Sequence, residues 1–276
     1  MLNKKRLIRI AWWGLHFGEE PPFVLDKGAG TIFFSGCNLH CVYCQNYQIS
    51  QLGIGKNYHL EEIVEMMLSL QKQGALNIDL VTPTIWAPLL KQIIKEAKKR
   101  GLKIPILWNS NAYENIRMLK SLKGLVDIYL PDFKYGSSEL GLKYSGVKNY
   151  PLKAQKAIQE MLHQVGHLKL NSKGKAIKGV LVRHLILPNN LENSFQVLDI
   201  LKKIDPQLDI SLLTQYEPLY QAKKFKEINR NITQEEFEIV YHYFQKLGFK
   251  KGWYQELGSS KELIPDFTKS NPFCYN

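Results

Sequence analysis

Residues 35–48 of the chain read SGCNLHCVYCQNYQ. This stretch holds three of the four cysteines, Cys37, Cys41 and Cys44, in the spacing C-x3-C-x2-C. Three thiolates so close in sequence can bind one inorganic centre without ligands from distant parts of the chain. A four-iron cluster with three protein ligands keeps one iron open to a small molecule, whereas a cluster that only transfers electrons is normally closed by four. The spacing therefore predicts an open-site iron–sulfur cluster.

Three other interpretations of the cysteines compete with the cluster. A structural zinc site needs four ligands, but the remaining cysteine is Cys274, near the C-terminus. His40 is too close in sequence to Cys41 to be a comfortable fourth ligand. A disulfide framework needs an oxidising compartment and an even, dispersed set of cysteines. Redox-active or incidental thiols are the third alternative.

The cysteine stretch also carries a family resemblance. CNLHCVYC, residues 37–44, resembles the cluster loop of the radical S-adenosylmethionine (SAM) superfamily, with Tyr43 as the aromatic residue before the last cysteine. More specifically, the chain is similar to uncharacterised homologues of pyruvate formate-lyase activating enzymes. The resemblance extends from about residue 14 to about residue 250, and the stretches that carry it are 16–22 (HFGEEPP), 30–37 (GTIFFSGC), 126–135 (VDIYLPDFKY) and 181–188 (LVRHLILP).

This resemblance implies a [4Fe-4S] cluster and SAM as cofactors, with Tyr43 and Asn46 among the residues that contact them. It implies reductive cleavage of SAM to a 5'-deoxyadenosyl radical that abstracts hydrogen from a substrate, with flavodoxin or ferredoxin as the low-potential electron donor. An activating enzyme would install a glycyl radical on a partner glycyl radical enzyme. Radical modification of a small molecule, peptide or RNA is one alternative, and a non-catalytic metal-binding module of the same fold is another.

The rest of the chain alternates short apolar runs with amphipathic segments. The apolar runs are nearly continuous, which is typical of parallel strands buried on both faces. The predicted strands are 31–35, 77–82, 104–109, 125–130, 177–187 and 209–214. The predicted helices are 60–68, 86–100, 114–122, 152–165, 194–204 and one that opens at Thr233, where Thr233 and Glu236 match a capping box.

Six strand–helix repeats predict an α/β fold in which a parallel sheet curls into a partial (β/α)6 TIM-like barrel, short of the eight repeats that close a full one. The radical SAM resemblance implies the same architecture. We expect a single domain over 1–276, with a lead-in at 1–30, the barrel at 31–250 and a tail at 251–276. Glycines and prolines interrupt the lead-in and the tail has no clear period, so neither is expected to form regular structure. The segment 135–149 is expected to be a loop with at most a helical turn.

Working residues of parallel α/β sheets lie at the carboxyl ends of the strands. Polar residues stand at or near that end of each predicted strand. These candidates are Cys37, Cys41, Cys44 and Asn46 in the first repeat, Thr82, Pro83 and Thr84 in the second, Asn109 and Ser110 in the third, Asp132 and Lys134 in the fourth, Arg183 in the fifth, and Tyr216 in the sixth.

The resemblance assigns roles to several of these candidates. Residues 82–84 stand where related enzymes carry a Gly-Gly-Glu motif that meets the SAM amino group, so here backbone carbonyls and a threonine hydroxyl would take that role. Residues 109–111 resemble an Asp-Thr-Asn stretch that accompanies a metal cation, with an amide replacing the anionic side chain. Lys134 would meet the SAM carboxylate, Asp132 would orient it or bind the sugar, and Tyr216 replaces a histidine near the ribose.

Structural roles compete with these assignments. Asp132 and Lys134 could simply pair at the barrel rim. Arg183 lies in an apolar strand, where an unpaired guanidinium is costly, so it should meet a carboxylate. Strand alternation places His184 on the opposite side, with Arg183 facing inward. The lead-in residues that could either reach the active centre or cap the barrel are His16, Glu19 and Glu20.

The charge balance bears on partners. Lys and Arg exceed Asp and Glu by 37 to 25, giving a net charge of +12 that could favour an acidic protein, a phosphorylated substrate or nucleic acid. Nucleic acid is the less favoured partner because no RNA-binding module or aromatic–basic platform is visible. Part of the excess lies opposite the apolar stripe of the helix 86–100, which is typical of a solvated face.

The N-terminal residues 7–17 superficially resemble a signal peptide. They are interrupted by Arg9 and lack a small-residue cleavage site, so we reject that interpretation. No apolar run approaches the roughly 18 residues of a membrane span. The sequence therefore predicts a cytoplasmic protein without a membrane segment, where thiols stay reduced.

Overall fold

The computed structural model describes residues 2, 5–249, 251–255, 257 and 264–273. Its strands belong to one sheet, built mainly from the apolar runs. The strands are β1 (Leu7–His16), β2 (Ala29–Phe34), β3 (Lys56–His59), β4 (Ile78–Val81), β5 (Ile106–Ser110), β6 (Ile128–Pro131), β7 (Lys169–Leu170), β8 (Ala176–Leu185), β9 (Asp209–Leu213) and β10 (Gly252–Tyr254).

Helices occupy most of the connections between the strands. The helices are α1 (Pro21–Val24), α2 (Tyr47–Ser50), α3 (Leu60–Lys72), α4 (Ala87–Lys99), α5 (Ile116–Ser121), α6 (Ser138–Ser145), α7 (Tyr150–Val165), α8 (Leu191–Ile204) and α9 (Gln234–Lys246). The capping box that the sequence predicts at Thr233 is formed, because the Thr233 hydroxyl accepts from the Glu236 amide and the Glu236 carboxylate accepts from the Thr233 amide. No helix in the described ranges has the length and apolar character needed to cross a membrane.

The parallel part of the sheet has the order β10-β9-β8-β6-β5-β4-β2. On the far side of β2, β1 pairs antiparallel and β3 pairs antiparallel with β1. Over the described residues the sheet path ends at β10 and at β3, so the sheet is open. This topology confirms the predicted α/β fold with a parallel sheet, in the partial-barrel form.

Side-chain alternation along the strands positions the site. Phe33, Val81, Asn109, Arg183 and Leu213 lie near the carboxyl ends of their strands and line the same cavity. Neighbouring strands are in register here, since Phe33 is opposite Val81 and Val81 is opposite Asn109. At this level the cavity is lined by apolar Phe33 and Val81 on the β2 and β4 side and by polar Asn109 and Arg183 on β5 and β8.

The lead-in corrects one expectation from sequence. Instead of irregular chain, residues Leu7–His16 form the ten-residue strand β1. Gly14 lies within this strand, and the indole of Trp12 fills the space that a side chain at position 14 would need. Ile8 and Ile10 are buried on alternate positions, and their pairing with β3 crosses some fifty residues of sequence that local patterns do not report.

Two further segments are more regular than expected. In the tail, β10 adds a seventh parallel strand beside β9. In the segment 135–149, α6 is a complete eight-residue helix, capped by the Ser137 hydroxyl at its start and by Gly146 in the left-handed conformation at its end. Cys274 lies outside the described residues.

Candidate active site

The loop after β2 places the three cysteines around one cavity of about 210 Å³. Gly36 directly before Cys37 has a φ of 87°, a conformation that glycine adopts without strain. Cys37, Cys41 and Cys44 all line the cavity, which lies at the carboxyl ends of the parallel strands. The spacing C-x3-C-x2-C therefore delivers three thiols to the mouth of the barrel, where the sequence predicts the chemistry.

Each cysteine sulfur has a polar neighbour. The amide nitrogen of Asn111 and the backbone N–H of Leu39 each donate to Cys37 Sγ at 3.4 Å. Ser145 Oγ donates to Cys41 Sγ at 2.9 Å, and Ser50 Oγ lies 3.2 Å from Cys44 Sγ. Hydrogen bonds of this kind stabilise a thiolate and, around a cluster, tune its reduction potential.

Without a metal, the environment of the thiols favours their protonated form. Burial, with a smaller contribution from neighbouring Cys41, raises the pKa of Cys37 to about 11 and that of Cys44 to about 12. Bound iron would supply the positive charge that displaces these protons. The described residues contain no group of three or more His, Cys, Asp or Glu side chains that could hold a single metal ion. The three thiols instead surround one cavity, which fits a multinuclear cluster.

A charged wall faces the cysteines across the cavity. Arg183 is its centre, and each of its nitrogens has an acceptor. Nε donates to Asp132 Oδ1 at 2.7 Å, one terminal nitrogen donates to Glu19 Oε2 at 2.8 Å, and the other donates to Asn109 Oδ1 at 2.6 Å. Lys134 Nζ donates to the second oxygen of Asp132 at 2.8 Å. Arg183 thus meets the carboxylate that the sequence requires, and its side chain is 14% exposed.

The charges of this wall stabilise one another. Burial alone would raise the pKa of Asp132, but Arg183 and Lys134 outweigh burial and lower it. Burial alone would lower the pKa of Lys134, but Asp132 outweighs it and raises it. Both side chains are therefore ionised near neutral pH. Burial and the positive charge of Arg183 lower the pKa of His16 to about 4, so this cavity-lining imidazole is neutral.

Most residues predicted from sequence are brought together here. The candidates that line the cavity are Cys37, Cys41, Tyr43, Cys44, Asn46, Thr82, Asn109, Ser110, Asp132, Lys134, Arg183 and Tyr216. Two are turned elsewhere. Pro83 and Thr84 do not line the cavity, and the Thr84 hydroxyl donates to Glu114 Oε1 at 2.9 Å. Thr82 has a φ of 59°, a left-handed conformation that turns the chain at the end of β4, and the Trp86 indole beyond it donates to the backbone carbonyl of Ser35.

The two tyrosines among the candidates have their hydroxyls engaged with the protein. Tyr43 donates to the hydroxyl of Tyr135 at 2.7 Å, and Tyr135 lies 2.6 Å from Ser145 Oγ, which in turn contacts Cys41. Tyr216 donates to the backbone carbonyl of Ile228 at 2.6 Å. Both therefore present ring surface to the cavity.

His184 lies on the other side of β8, as alternation predicts. Its ring nitrogens contact the Phe133 carbonyl at 2.8 Å and Ser194 Oγ at 2.9 Å. It is fully buried, and burial lowers its pKa to about 4. His184 is thus a satisfied neutral core residue.

Three site residues were not selected from sequence. The sequence does not decide the role of Glu19, although the need of Arg183 for a carboxylate and the stretch 16–22 together point to it. Asn111 directly follows the candidates Asn109 and Ser110, but its hydrogen bond to Cys37 Sγ leaves no pattern in the sequence. Ser145 reaches Cys41 across about a hundred residues from a helix that the sequence did not predict.

Comparison with known families gives the same class of protein. The Radical SAM superfamily model matches residues 31–196, which is more than half of the chain and runs from β2 into α8. The chain belongs to the Radical SAM superfamily. The resemblance of the cysteine loop to this superfamily is thereby confirmed.

Two curated relatives extend the comparison. An uncharacterized protein of Methanocaldococcus jannaschii is 35% identical over 234 residues, which cover 81% of this chain and 63% of that protein. The pyruvate formate-lyase-activating enzyme of Clostridium pasteurianum is 24% identical over 230 residues, covering 78% of this chain and 90% of that enzyme. The chain thus spans less than two thirds of the first relative and nearly all of the second.

Solved structures support the fold. SuiB of Streptococcus suis, bound to the precursor peptide SuiA, superposes with a TM-score of 0.58 at 13% identity, covering 81% of this chain and 47% of SuiB. SuiB bound to S-adenosylmethionine superposes with a TM-score of 0.56 at 12% identity, covering 81% and 49%. At this identity the likeness concerns the fold alone.

Radical SAM enzymes use a [4Fe-4S] cluster and SAM, the cofactors that the sequence predicts. When both are bound, the reduced cluster supplies the electron that cleaves SAM to a 5'-deoxyadenosyl radical. The residues of this chain that line the cavity would provide placement: the three thiols would bind iron, the ionised wall would meet polar groups of a ligand, and apolar Phe33 and Leu213 would limit water. Enzymes of this superfamily typically need a reductant such as flavodoxin or ferredoxin.

Proposed function

We propose that this chain cleaves SAM reductively and uses the resulting radical to abstract hydrogen from a glycine of a partner enzyme, as a glycyl radical activase. One observation carries the chemical part: three thiols and the Arg183–Asp132–Lys134 wall face one another in a single cavity. The similarity to the activating enzyme of C. pasteurianum, which spans 78% of this chain and 90% of that enzyme, supports the activase part.

The wall suggests how SAM would be held. Lys134 is fixed by Asp132 and carries a charge that complements the SAM carboxylate. Asn109 and Ser110 end β5 beside it and offer polar groups to the amino acid or the ribose. Arg183 already donates from every nitrogen, so we assign it a positioning role, with Glu19 and Asp132 as the groups it holds. Tyr43, Asn46, Thr82 and Tyr216 would complete the pocket.

The electron donor would be flavodoxin or ferredoxin. The net charge of +12 favours docking of an acidic protein of this kind. Association that depends on this charge should weaken as the salt concentration rises.

The test combines reduced, anaerobically reconstituted protein, SAM and each glycyl radical enzyme encoded near its gene. A glycyl-type doublet in the electron paramagnetic resonance spectrum of one partner is the expected result. The matched control is the Cys41→Ala variant, which should give no doublet. SAM cleavage without a doublet on any partner would contradict the activase and leave the SAM chemistry intact.

A second candidate function is radical modification of a small molecule or of a peptide side chain. It is favoured by a further cavity behind Glu19 and Arg183, which would suit a ligand group that enters the barrel interior. Release of 5'-deoxyadenosine that rises when a candidate substrate is added is the measurement that separates it from the activase.

A further inference from the structure

A second cavity of about 200 Å³ lies behind the charged wall. Residues that line both cavities, including Glu19, Arg183 and Gln215, form the partition between them. The start of α1 contributes Glu20 to its other walls, β9 contributes Ser211, and β10 contributes Trp253. The SAM roles proposed above use none of the groups that belong to this second cavity alone.

Buried hydrogen-bond acceptors without donors line this cavity. Glu20 is 8% exposed, and among the described residues its carboxylate oxygens have no donor in full hydrogen-bond geometry, although the Ser211 hydroxyl in the same cavity wall acts on the carboxyl and lowers its pKa. The side-chain oxygen of Gln255 is also buried and unpartnered, while its amide nitrogen donates to Gln215 at 3.0 Å. When Glu20 is ionised these three atoms only accept, so a ligand that satisfies them in that state must donate.

Charge balance makes a positively charged donor the best match. Around the partition, Glu19 and Asp132 are compensated by Arg183 and Lys134. Glu20 has no ion pair of its own in the described chain, and the nitrogens of Arg183 donate to other acceptors. An uncompensated buried carboxylate is costly, and a bound cation would remove that cost.

The aromatic ring of Trp253 indicates an organic cation. Trp253 and Tyr254 both line the cavity, but the Tyr254 ring packs against Phe237 and Tyr241 of α9, on the opposite side of β10 from Trp253. Aromatic faces attract ammonium and guanidinium groups. The Glu20 carboxylate, the Gln255 oxygen and the Trp253 ring together suit a nitrogen cation.

We propose that the second cavity binds a short organic cation, a primary ammonium or guanidinium group, with Glu20 as its counter-ion. Such a cationic group occurs in free amines and guanidines and in the lysine or arginine side chains of a peptide. The binding site stands on its own geometry. If the proposed radical chemistry holds, the cavity would anchor a basic group of the substrate behind the SAM site.

Isothermal titration calorimetry on the full chain with its reconstituted cluster tests the proposal. The probes are n-butylamine, n-butylguanidine, a short lysine-containing peptide and, as the neutral isostere, n-butanol. We expect the cations to bind and butanol to bind at least about tenfold more weakly. Binding of the free amines without the peptide would assign the site to small molecules, and binding of both would admit a side chain.

The variant Glu20→Gln keeps the shape of the side chain and should weaken cation binding about tenfold. The matched control is Glu114→Gln, which alters another buried carboxyl that lines neither cavity, and it should leave binding unchanged. If Glu20→Gln does not fold cooperatively, Trp253→Leu takes its place and should weaken binding several-fold.

Equal binding of butylamine and butanol, or unchanged binding in the folded Glu20→Gln and Trp253→Leu variants, would overturn the proposal. Displacement of the amines by SAM would assign the cavity to the cofactor. Binding of potassium ions without binding of any amine would assign it to an inorganic cation, and either result also overturns the proposal. Calorimetry needs no turnover, so a failed activase assay does not affect this result.

Discussion

Arg183 Nε lies 2.7 Å from Asp132 Oδ1, joining the carboxyl ends of the neighbouring parallel strands β8 and β6. The same guanidinium reaches Glu19, which follows β1, so one side chain connects the N-terminal segment to the middle of the barrel. This contact is why the lead-in belongs to the candidate site. It also fixes Asp132, and through Asp132 it fixes Lys134, opposite the three cysteines.

Replacing Arg183 should therefore destabilise the fold as well as the site. In Arg183→Met the buried carboxylates of Glu19 and Asp132 lose their shared cation, and we expect a loss of about 3 kcal/mol in the free energy of unfolding. Urea denaturation measures it. Arg100→Met is the control, since its pairs with Glu61 and Glu65 are on the surface and should contribute little. Equal losses in the two variants would contradict the buried role of Arg183.

The number of cluster ligands is tested by cysteine substitutions. If these three thiolates are the cluster ligands, as we propose, Cys37→Ala, Cys41→Ala and Cys44→Ala should each lose most of the iron and sulfide that the wild type holds after anaerobic reconstitution. Cys274→Ala should retain the wild-type content. Iron and sulfide analysis on the same preparations provides the measurement, and a cluster lost on removal of Cys274 would mean a fourth protein ligand.

The Ser145 hydroxyl should influence the cluster through Cys41. Its oxygen lies 2.9 Å from Cys41 Sγ, and hydrogen bonds to ligand sulfurs raise cluster reduction potentials. Ser145→Ala should therefore keep the cluster but shift its potential to more negative values in a redox titration followed by electron paramagnetic resonance. Ser121→Ala removes a hydroxyl that contacts the sulfur of Met118, away from the cavity, and should leave the potential unchanged.

Glu20 should give the stability a distinct pH dependence. Burial raises its pKa from 4.5 to about 7, with neighbouring Glu19 adding to the rise and Arg183 opposing it, while the carboxyl of Asp79 also faces it. The folded chain therefore holds this proton more tightly than the unfolded chain. The resulting stabilisation is complete below about pH 4.5 and is lost as the pH rises through about 7.

Glu20→Gln lacks this titration, so its free energy of unfolding should improve relative to wild type between about pH 5 and about pH 8. Urea denaturation at several pH values gives the difference, in which effects common to both proteins, such as buried histidines, cancel. Glu236→Gln is the control, because salt-bridged Glu236 has a pKa of about 2 and its difference from wild type should be flat over that range. A flat difference for Glu20→Gln would show that its carboxyl is not perturbed.

Patterns local in sequence predicted the parallel strands and the cluster loop. Near-continuous apolar runs such as Ile78–Val81 are buried on both faces, and a strand of this kind needs no long-range information to be recognised. The three cysteines lie on one loop, so their convergence also follows from sequence spacing. Arg183 was predicted to meet a carboxylate because an unpaired guanidinium is costly in an apolar strand.

What the sequence missed depends on distant partners. The strand β1 contains Gly14 and gains its order from β2 and β3, and β10 is three residues that become a strand only beside β9. Thr82 and Thr84 are close in sequence, but only Thr82 lines the cavity, and the Thr84 hydroxyl donates to Glu114. The contact of Ser145 with Cys41 likewise exists only once α6 is packed against the cysteine loop.

The most direct test of the central claim is SAM cleavage by the reconstituted, reduced protein. Wild type with SAM and dithionite should release 5'-deoxyadenosine, detected by liquid chromatography with mass spectrometry, and Cys41→Ala should release none. The Lys134→Met variant, which keeps the cysteines, should bind SAM more weakly and should form 5'-deoxyadenosine more slowly than the wild type. A wild-type protein that holds a full cluster, binds SAM and never forms 5'-deoxyadenosine would contradict the account.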